Sequence, residues 1–200
     1  MSTKMRLFAL SFCITMILSS CALIATPSDK QRKFFNVPDA YETTQIIIYK
    51  QERELELYAD ETCIGVFSIA LGREPIGTKN EKGDYKTPEG EYYICTRHDK
   101  TDYVLFLGLS YPNLADAQKH FDNGAIDSDT FDMIKTAIEQ EEQPPWETAL
   151  GGKIGIHGGG NARDWTEGCI SVSNEDLDII REYTPLNTPV TIYASRDDAY

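Results

Sequence analysis

A histidine and a cysteine that are suited to nucleophilic chemistry lie close together in the second half of the chain. His157 ends an apolar run, three glycines follow it at residues 158–160, and Cys169 comes twelve residues after the histidine, directly behind Gly168. A thiolate is a strong nucleophile, an unperturbed cysteine has a pKa of about 8.5, and a neighbouring imidazole can accept the thiol proton. We therefore predict that Cys169 is a nucleophile and that His157 is its general base and acid.

The glycine that precedes the cysteine has a predicted role of its own. Gly168 allows backbone N–H groups to approach a developing oxyanion closely. The alternative interpretation of the whole segment is a buried structural cysteine beside a loop histidine, and the residue types alone leave both open.

Short strands must position this pair. Runs of β-branched and apolar residues, some alternating with charges, predict strands along most of the chain. The predicted strands are residues 45–49, 54–58, 62–71, 91–97, 103–109, 153–157, 169–172 and 188–193. Residues 72–90 are rich in Gly, Pro, Lys and Asp, which predicts a long loop.

Two helical regions interrupt the strands. Residues 113–143 form a predicted helical insert, because Phe131, Ile134 and Ile138 recur at helical spacing and two prolines at residues 144–145 end the segment. A second helix is predicted over residues 174–182, with Ser173 or Asn174 as its cap.

Length, charge and cysteine content exclude several classes of protein. The chain has 200 residues, which suits one domain or one domain with a short tail. Its 19 Lys and Arg stand against 32 Asp and Glu, a formal charge of −13 that phosphate backbones repel, so we predict no nucleic-acid partner. The five cysteines include no CxxC pair, and we predict no metal site and no cofactor.

The amino-terminal residues predict export and lipidation. Lys4 and Arg6 precede an apolar run at residues 7–18, which is the layout of a signal peptide. The sequence Leu-Ser-Ser-Cys that ends at Cys21 resembles a bacterial lipobox. We predict a signal peptide at 1–20, lipid on Cys21 and a polar tether at 21–42, which makes an exported, membrane-anchored lipoprotein facing the periplasm or cell wall. Ordinary cleavage near Ala25 is the alternative.

Three motifs together resemble the L,D-transpeptidase catalytic domain (the YkuD-like family). IHGG at residues 156–159 is followed by TEGCI at 166–170, KTPEGEY stands at 86–92, and GLSYPN at 108–113 is similar to the branch that includes murein peptide hydrolases. The resemblance spans residues 46–193 and implies a catalytic domain at 43–195. The implied fold is mainly β (α+β), a mixed β-sandwich with a helical insert and a C-terminal helix.

The resemblance also implies an activity. Cys169 would form a thioester with a diaminopimelate-containing stem peptide of peptidoglycan, and an amine (transpeptidation) or water (hydrolysis) would then accept the acyl group. His157 would need a backbone carbonyl in the loop 158–160 to orient its other ring nitrogen, and backbone amides near Gly168 and Cys169 would stabilise the oxyanion. Besides a transpeptidase, a hydrolase of the same fold and a non-catalytic peptidoglycan-binding lipoprotein remain open.

The chain departs from the common family pattern at two positions, and five residues are candidates for substrate binding. Common members have an arginine where this chain has Ser171, and often a histidine where it has Glu167, whose side chain we expect to point away from Cys169. Arg163 is either a substitute for the arginine or a solvated loop residue. The candidates for substrate binding are Gly158, Gly168, Arg163, Ser171 and Tyr111.

Four further residues are predicted with simpler roles. His98 and His120 stand in charged surroundings, and we predict both at the surface. Cys63 and Cys95 lie in predicted strands and form either a disulfide or two separate thiols.

Overall fold

Nine strands form one continuous mixed sheet in the computed structural model, which describes residues 33–98 and 105–199. The strands are Lys33–Phe34 (β1), Thr44–Tyr49 (β2), Glu54–Ala59 (β3), Thr62–Ser68 (β4), Gly90–His98 (β5), Phe106–Leu109 (β6), Gly155–His157 (β7), Ile170–Ser171 (β8) and Pro189–Tyr193 (β9). Their order across the sheet is β1-β4-β3-β2-β9-β5-β6-β7-β8. The predicted signal peptide, the lipidation site Cys21 and residues 21–32 of the predicted tether lie outside the described residues.

Two antiparallel hairpins build the amino-terminal half of the sheet. β2 pairs with β3, and β3 pairs with β4. The turns between them contain Arg53 and Asp60 in the left-handed region, with φ of 56° and 50°. β1 pairs with β4, so two residues of the predicted tether, Lys33 and Phe34, lie against the domain as a short strand.

The last strand joins the two halves of the sheet. β9 lies between β2, to which it is parallel, and β5, to which it is antiparallel. β5, β6 and β7 continue as antiparallel neighbours, and β7 pairs with β8 in parallel. The sheet then curls until its ends meet, because Ala70, just beyond β4, exchanges two backbone hydrogen bonds of 2.8 Å with Ser171 of β8.

In the part of the chain that the structure describes, three α-helices accompany the sheet. They are Leu114–Asp122 (α1), Ser128–Glu139 (α2) and Asn174–Glu182 (α3), and a short 3₁₀ helix follows at Arg196–Ala199. Asn113 caps α1, Asp127 caps α2, and Ser173 caps α3 as predicted. The predicted insert is thus a pair of helices, and α2 ends before the prolines because Glu141, with φ of 55°, turns the chain into the left-handed region.

The core fills the inside of the curled sheet. Fully buried aliphatic residues of β2, β3, β6 and β7 pack there with Ile134 of α2 and Ile180 of α3. The predicted class, mainly β with a mixed sheet, a helical insert and a C-terminal helix, is confirmed. Within the described ranges, none of the helices combines the length and the apolar character needed to span a bilayer.

Candidate active site

The parallel pairing of β7 with β8 brings His157 and Cys169 to one face of the sheet. His157 is the register partner of Ser171, and Cys169 lies two residues before Ser171 along the same chain direction. Side chains two residues apart in a strand point to the same face, and paired residues share that face. Both His157 and Cys169 line an open cavity of about 840 Å³. The structure therefore brings the two predicted catalytic residues to a shared site.

Cys169 is held as a protonated thiol. The residue is half-buried, and its Sγ donates to the backbone oxygen of Lys153 at 3.4 Å. Burial raises the pKa of Cys169 to about 11, while a backbone N–H of Gly155 and the Lys79 ammonium act in the lowering direction and the Glu167 carboxylate adds to the rise. The thiol thus needs a base to ionise it at neutral pH.

His157 is oriented as that base. Its side chain is buried, and Nδ1 lies 2.5 Å from the backbone oxygen of Gly158, so Nδ1–H donates to this carbonyl. This contact confirms the prediction of an orienting carbonyl in the loop 158–160. Burial lowers the pKa of His157, with the Gly158 hydrogen bond acting in the opposite direction. A neutral imidazole with the proton on Nδ1 presents Nε2 as a proton acceptor.

The loop between the two residues is fixed by hydrogen bonds at both ends. Trp165 packs edge-on against the His157 ring at 5.6 Å, and its indole N–H donates to the oxygen of Gly160 at 3.1 Å. Asp164 forms an ion pair with Arg53 at 2.7 Å and accepts the backbone N–H of Leu71 at 2.8 Å. The loop is therefore tied to the turn between β2 and β3 and to the chain that follows β4.

Ser171 stabilises the loop from below, and the prediction that it binds substrate is wrong. Its side chain is fully buried, and its hydroxyl lies 2.7 Å from the oxygen of Gly160 and 3.3 Å from that of Gly158. A hydroxyl enclosed in this way cannot touch a peptide in the cavity. Ser171 instead satisfies loop carbonyls that a longer side chain would displace.

Three further predictions of substrate contacts are corrected by burial or position. Tyr111 is fully buried, and its hydroxyl donates to the oxygen of Leu150 at 3.1 Å, so it belongs to the core. Arg163 is exposed but is not among the residues that line the cavity. Gly158 is buried, and the part of it that acts is its carbonyl, through His157.

Gly168 was predicted to contact the substrate, but in the structure it allows two segments of the chain to pack closely. Its φ is +130°, and a Cβ at this position would lie 2.6 Å from the backbone oxygen of Lys86. Its N–H donates to the Thr166 hydroxyl at 3.1 Å, so the predicted oxyanion contact would require this bond to break. Glycine is needed here because the chain comes so close to the loop 72–90.

Four basic residues of the cavity wall were missed by the sequence analysis. Arg73, Lys79 and Lys82 come from the loop 72–90, and Lys153 precedes β7. The basic character of that loop was visible in the sequence, but its place beside Cys169 depends on the bridge between Gly72 and Thr166, which are far apart in the chain.

Acidic partners accompany these cations at the cavity wall. Glu167 is exposed and pairs with Arg73 at 3.0 Å, which accounts for its minor effect on the sulfur and agrees with the expected outward side chain. Glu147 accepts from Lys82 at 2.9 Å and from Lys153 at 2.8 Å. Arg73, Lys82 and Lys153 therefore keep exposed carboxylates as partners at the rim of the cavity.

The structure also gives the exposure of the other two described histidines and the state of the other two described cysteines. His98 is exposed and lines the cavity, whereas His120 is buried at 7% exposure, so its predicted surface position is wrong. Cys63 and Cys95 are separate free thiols. Among residues 33–98 and 105–199, no group of three or more His, Cys, Asp or Glu side chains is arranged to hold a metal ion.

Comparisons with known proteins agree with this geometry. A family model described as YkuD, L,D-transpeptidase catalytic domain, matches residues 43–192. A comparison with curated protein sequences found no match.

Two solved structures share the fold, and a third can be aligned with it. Bd1075 from Bdellovibrio bacteriovorus is similar at 20% identity and a TM-score of 0.51, covering 81% of this chain and 51% of that protein. The helical cell shape determining protein Pgp2 from Campylobacter jejuni is similar at 21% identity and a TM-score of 0.52, covering 78% and 50%. An L,D-transpeptidase from Mycobacterium tuberculosis H37Rv aligns at 13% identity and a TM-score of 0.45, covering 76% and 57%. The chain spans about half the length of the first two proteins.

Proposed function

Because the family model covers residues 43–192, the chain belongs to the L,D-transpeptidase catalytic domain family, and we propose that it is a peptidoglycan-modifying cysteine acyltransferase. The observation that carries the proposal is the shared cavity of Cys169 and His157, with the imidazole fixed by Gly158 so that Nε2 is its proton acceptor. A buried structural cysteine would have no reason to face an open cavity beside an oriented base.

The proposed first half-reaction acylates the enzyme. Cys169 Sγ attacks the carbonyl carbon of a diaminopimelate residue that carries a terminal D-alanine, and the thiol proton moves to Nε2 of His157 as the S–C bond forms. The scissile C–N bond then breaks, and the same proton passes from His157 to the leaving amine. A thioester on Cys169 and free D-alanine result.

The second half-reaction releases the acyl group. An amine of another stem peptide attacks the thioester, its proton passes to His157, and the S–C bond breaks as the sulfur regains a proton. The product is a cross-link between stem peptides. With water as the acceptor, the same steps would yield a shortened stem peptide.

The charge of the cavity wall suits a substrate rich in carboxylates. The chain as a whole carries a formal charge of −13, yet four basic residues of this wall, Arg73, Lys79, Lys82 and Lys153, stand against two acidic ones, Glu147 and Glu167. Stem peptides with diaminopimelate and terminal D-alanine bear free carboxylates, which such cations attract. This distribution supports a peptidoglycan peptide as the substrate of an otherwise acidic protein.

Covalent labelling tests the proposed nucleophile. A carbapenem should add to Cys169, and intact-mass and peptide mass spectrometry should locate the adduct on this residue. Cys169→Ala should abolish it, whereas the matched variant Cys95→Ser, at a half-buried thiol outside the cavity, should leave it in place. A folded wild-type protein with a reduced, unlabelled Cys169 would favour a role in binding peptidoglycan without catalysis.

Incubation with purified muropeptides tests the reaction type. With tetrapeptide stems and an amine acceptor, we expect cross-linked dimers and released D-alanine. Tripeptides without dimers would assign the chain as a hydrolase of the same fold.

We also propose that the chain is exported and anchored by lipid at Cys21, as the Leu-Ser-Ser-Cys sequence supports. Wild-type protein should carry a lipid mass at an amino-terminal Cys21 and should enter the detergent phase on phase separation. Cys21→Ala should lose both properties, and a variant that still enters the detergent phase as a lipid-modified species would refute the anchor.

A further inference from the structure

His120 makes two short contacts that a neutral histidine cannot satisfy together. Nδ1 lies 2.7 Å from the backbone oxygen of Asp116, and Nε2 lies 2.6 Å from the backbone oxygen of Asn80. Carbonyl oxygens only accept hydrogen bonds, and a neutral imidazole has one N–H and one lone pair. Because the ring is 7% exposed, water has little access to relieve the mismatch. Only the imidazolium donates to both oxygens.

The two contacts join the helical insert to the wall of the cavity. Asp116 lies one turn before His120 in α1, whereas Asn80 belongs to the loop 72–90. Asn80 directly follows Lys79, whose side chain is 3% exposed and lines the cavity beside Cys169. A hydrogen bond to the Asn80 carbonyl therefore restrains the backbone that carries Lys79.

The loop around Asn80 is compact, and His120 provides one of the contacts that hold it in place. The Asp84 carboxylate accepts the backbone N–H of Asn80 at 2.7 Å, that of Glu81 at 3.1 Å and the Lys79 ammonium at 2.7 Å. This unit contacts α1 through His120 and through Lys119, whose Nζ lies 2.6 Å from Asn80 Oδ1. The His120 and Lys119 contacts therefore attach this unit to α1.

We propose that the protonated side chain of His120 is a positioning residue, which ties α1 to the loop 72–90 and holds Lys79 at the cavity beside Cys169. Loss of the proton leaves one of the two carbonyls facing a lone pair, and the tie is released. The effect on Cys169 reactivity rests on the proposed acyltransferase function, but the tie itself does not. The helical insert thereby gains a role as the support of this part of the cavity.

Titratable groups face His120 from three elements of the fold. On its own helix, Asp116 lies one turn away, and His120 and Lys119 both act to lower the pKa of this buried carboxyl, which burial raises. From the loop, Lys79 and Asp84 form a mutual ion pair, and Glu81 lies next to Asn80. From β5, the Tyr92 hydroxyl donates to Asp116 Oδ2 at 3.1 Å. The backbone oxygens of Asp116 and Asn80 therefore remain the hydrogen-bond partners of the ring.

Nuclear magnetic resonance tests the protonation state without any assay of activity. The chain contains three histidines, so His98→Gln and His157→Gln identify the His120 resonances by elimination. We expect the ¹⁵N shifts of both His120 ring nitrogens to match an imidazolium at pH 6. A neutral tautomer there, with one unprotonated nitrogen, would overturn the proposal even if carbapenem labelling of Cys169 succeeds.

Hydrogen exchange and labelling test the consequence for the cavity. Protection of the Asn80, Glu81 and Lys82 amides, corrected for intrinsic exchange, should fall about tenfold or more as His120 loses its proton, as expected for one charge-assisted hydrogen bond. The rate of carbapenem addition to Cys169 should change over the same pH range.

Two variants distinguish loss of the His120 contact from a general loss of stability. His120→Leu should show the low protection at every pH. Lys119→Met removes the exposed contact to the same asparagine and should keep the pH dependence of the wild type. An identical pH dependence in folded His120→Leu and wild type would overturn the proposal. If no carbapenem adduct forms at all, the proposed function fails, while the exchange data still decide the role of His120.

Discussion

The ionisation of Cys169 offers a quantitative test of how this site works. Burial raises the pKa of the thiol to about 11 from a reference value of 9.0. A shift of two units corresponds to about 3 kcal/mol of additional cost for forming the thiolate. At pH 7 the thiolate would be about one part in 10⁴, against about one part in 10² for the reference thiol. At neutral pH the site therefore contains a thiol and a neutral imidazole, and the thiol proton must move to His157 during the attack.

Alkylation by iodoacetamide reports the thiolate directly. With each cysteine followed by peptide mass spectrometry, the rate at Cys169 should rise about tenfold per pH unit up to about pH 10, without a plateau. A peptide of residues 165–173 serves as the control, and its cysteine should level off near its ordinary pKa. The midpoint of the curve of alkylation rate against pH decides the test. The absolute rate does not, because partial burial slows alkylation at every pH.

Carbapenem addition should depend on pH differently, because it uses the base. His157 must be neutral to accept the proton, and burial lowers its pKa below the ordinary 6.5. The rate should therefore fall only on the acidic side of pH 6.5 and stay level above it, far below the thiol pKa. A Cys169 alkylation curve that levels off below pH 8 would refute this reasoning, since it would require a preformed thiolate and imidazolium.

Five substitutions, two of which are matched controls, test the packing around the site, and each is measured by urea denaturation. Ser171→Ala removes the hydroxyl between two loop carbonyls and should cost about 1 to 2 kcal/mol, whereas no change would show that these contacts are weak. Asp164→Asn breaks a half-buried ion pair and should cost about 1 to 3 kcal/mol. Its control, Glu167→Gln, breaks an exposed pair and should cost less than about 1 kcal/mol. Equal costs would contradict the difference in burial between the two pairs. Gly72→Ala places a methyl 2.0 Å from a backbone oxygen and should cost more than about 3 kcal/mol. The control Gly124→Ala, at a glycine with φ of +75° and open space around its Cβ position, should cost about 1 to 2 kcal/mol. Similar losses for the two glycine variants would contradict the close approach of Gly72 to the Tyr85 backbone oxygen.

The parts of the structure that depend on neighbouring residues were predictable from the sequence. β2 forms from a β-branched run, α3 begins at its serine cap, and His157 and Cys169 end up together because each borders a strand of the same parallel pair. Such features are local in the chain, so residue type and spacing determine them.

The parts that depend on distant contacts were not predictable. The burial of Ser171 follows from β8 lying between β7 and the chain at Ala70, and the burial of His120 follows from the loop at Asn80 covering α1. The position of Lys79 in the cavity has the same origin. No residue pattern near these positions reports a partner that lies tens of residues away.

The strand that directly follows the nucleophile would be an exposed edge if the sheet were open. β8 has only two residues and is last in the strand order, so its free N–H and C=O groups would offer a template for another polypeptide. The bonds between Ala70 and Ser171 occupy those groups. An extended peptide therefore cannot add to the sheet beside Cys169 as a further strand, and a substrate must approach the sulfur from the face of the sheet. The same closure removes β8 as an edge to which a second copy of the domain could add during aggregation.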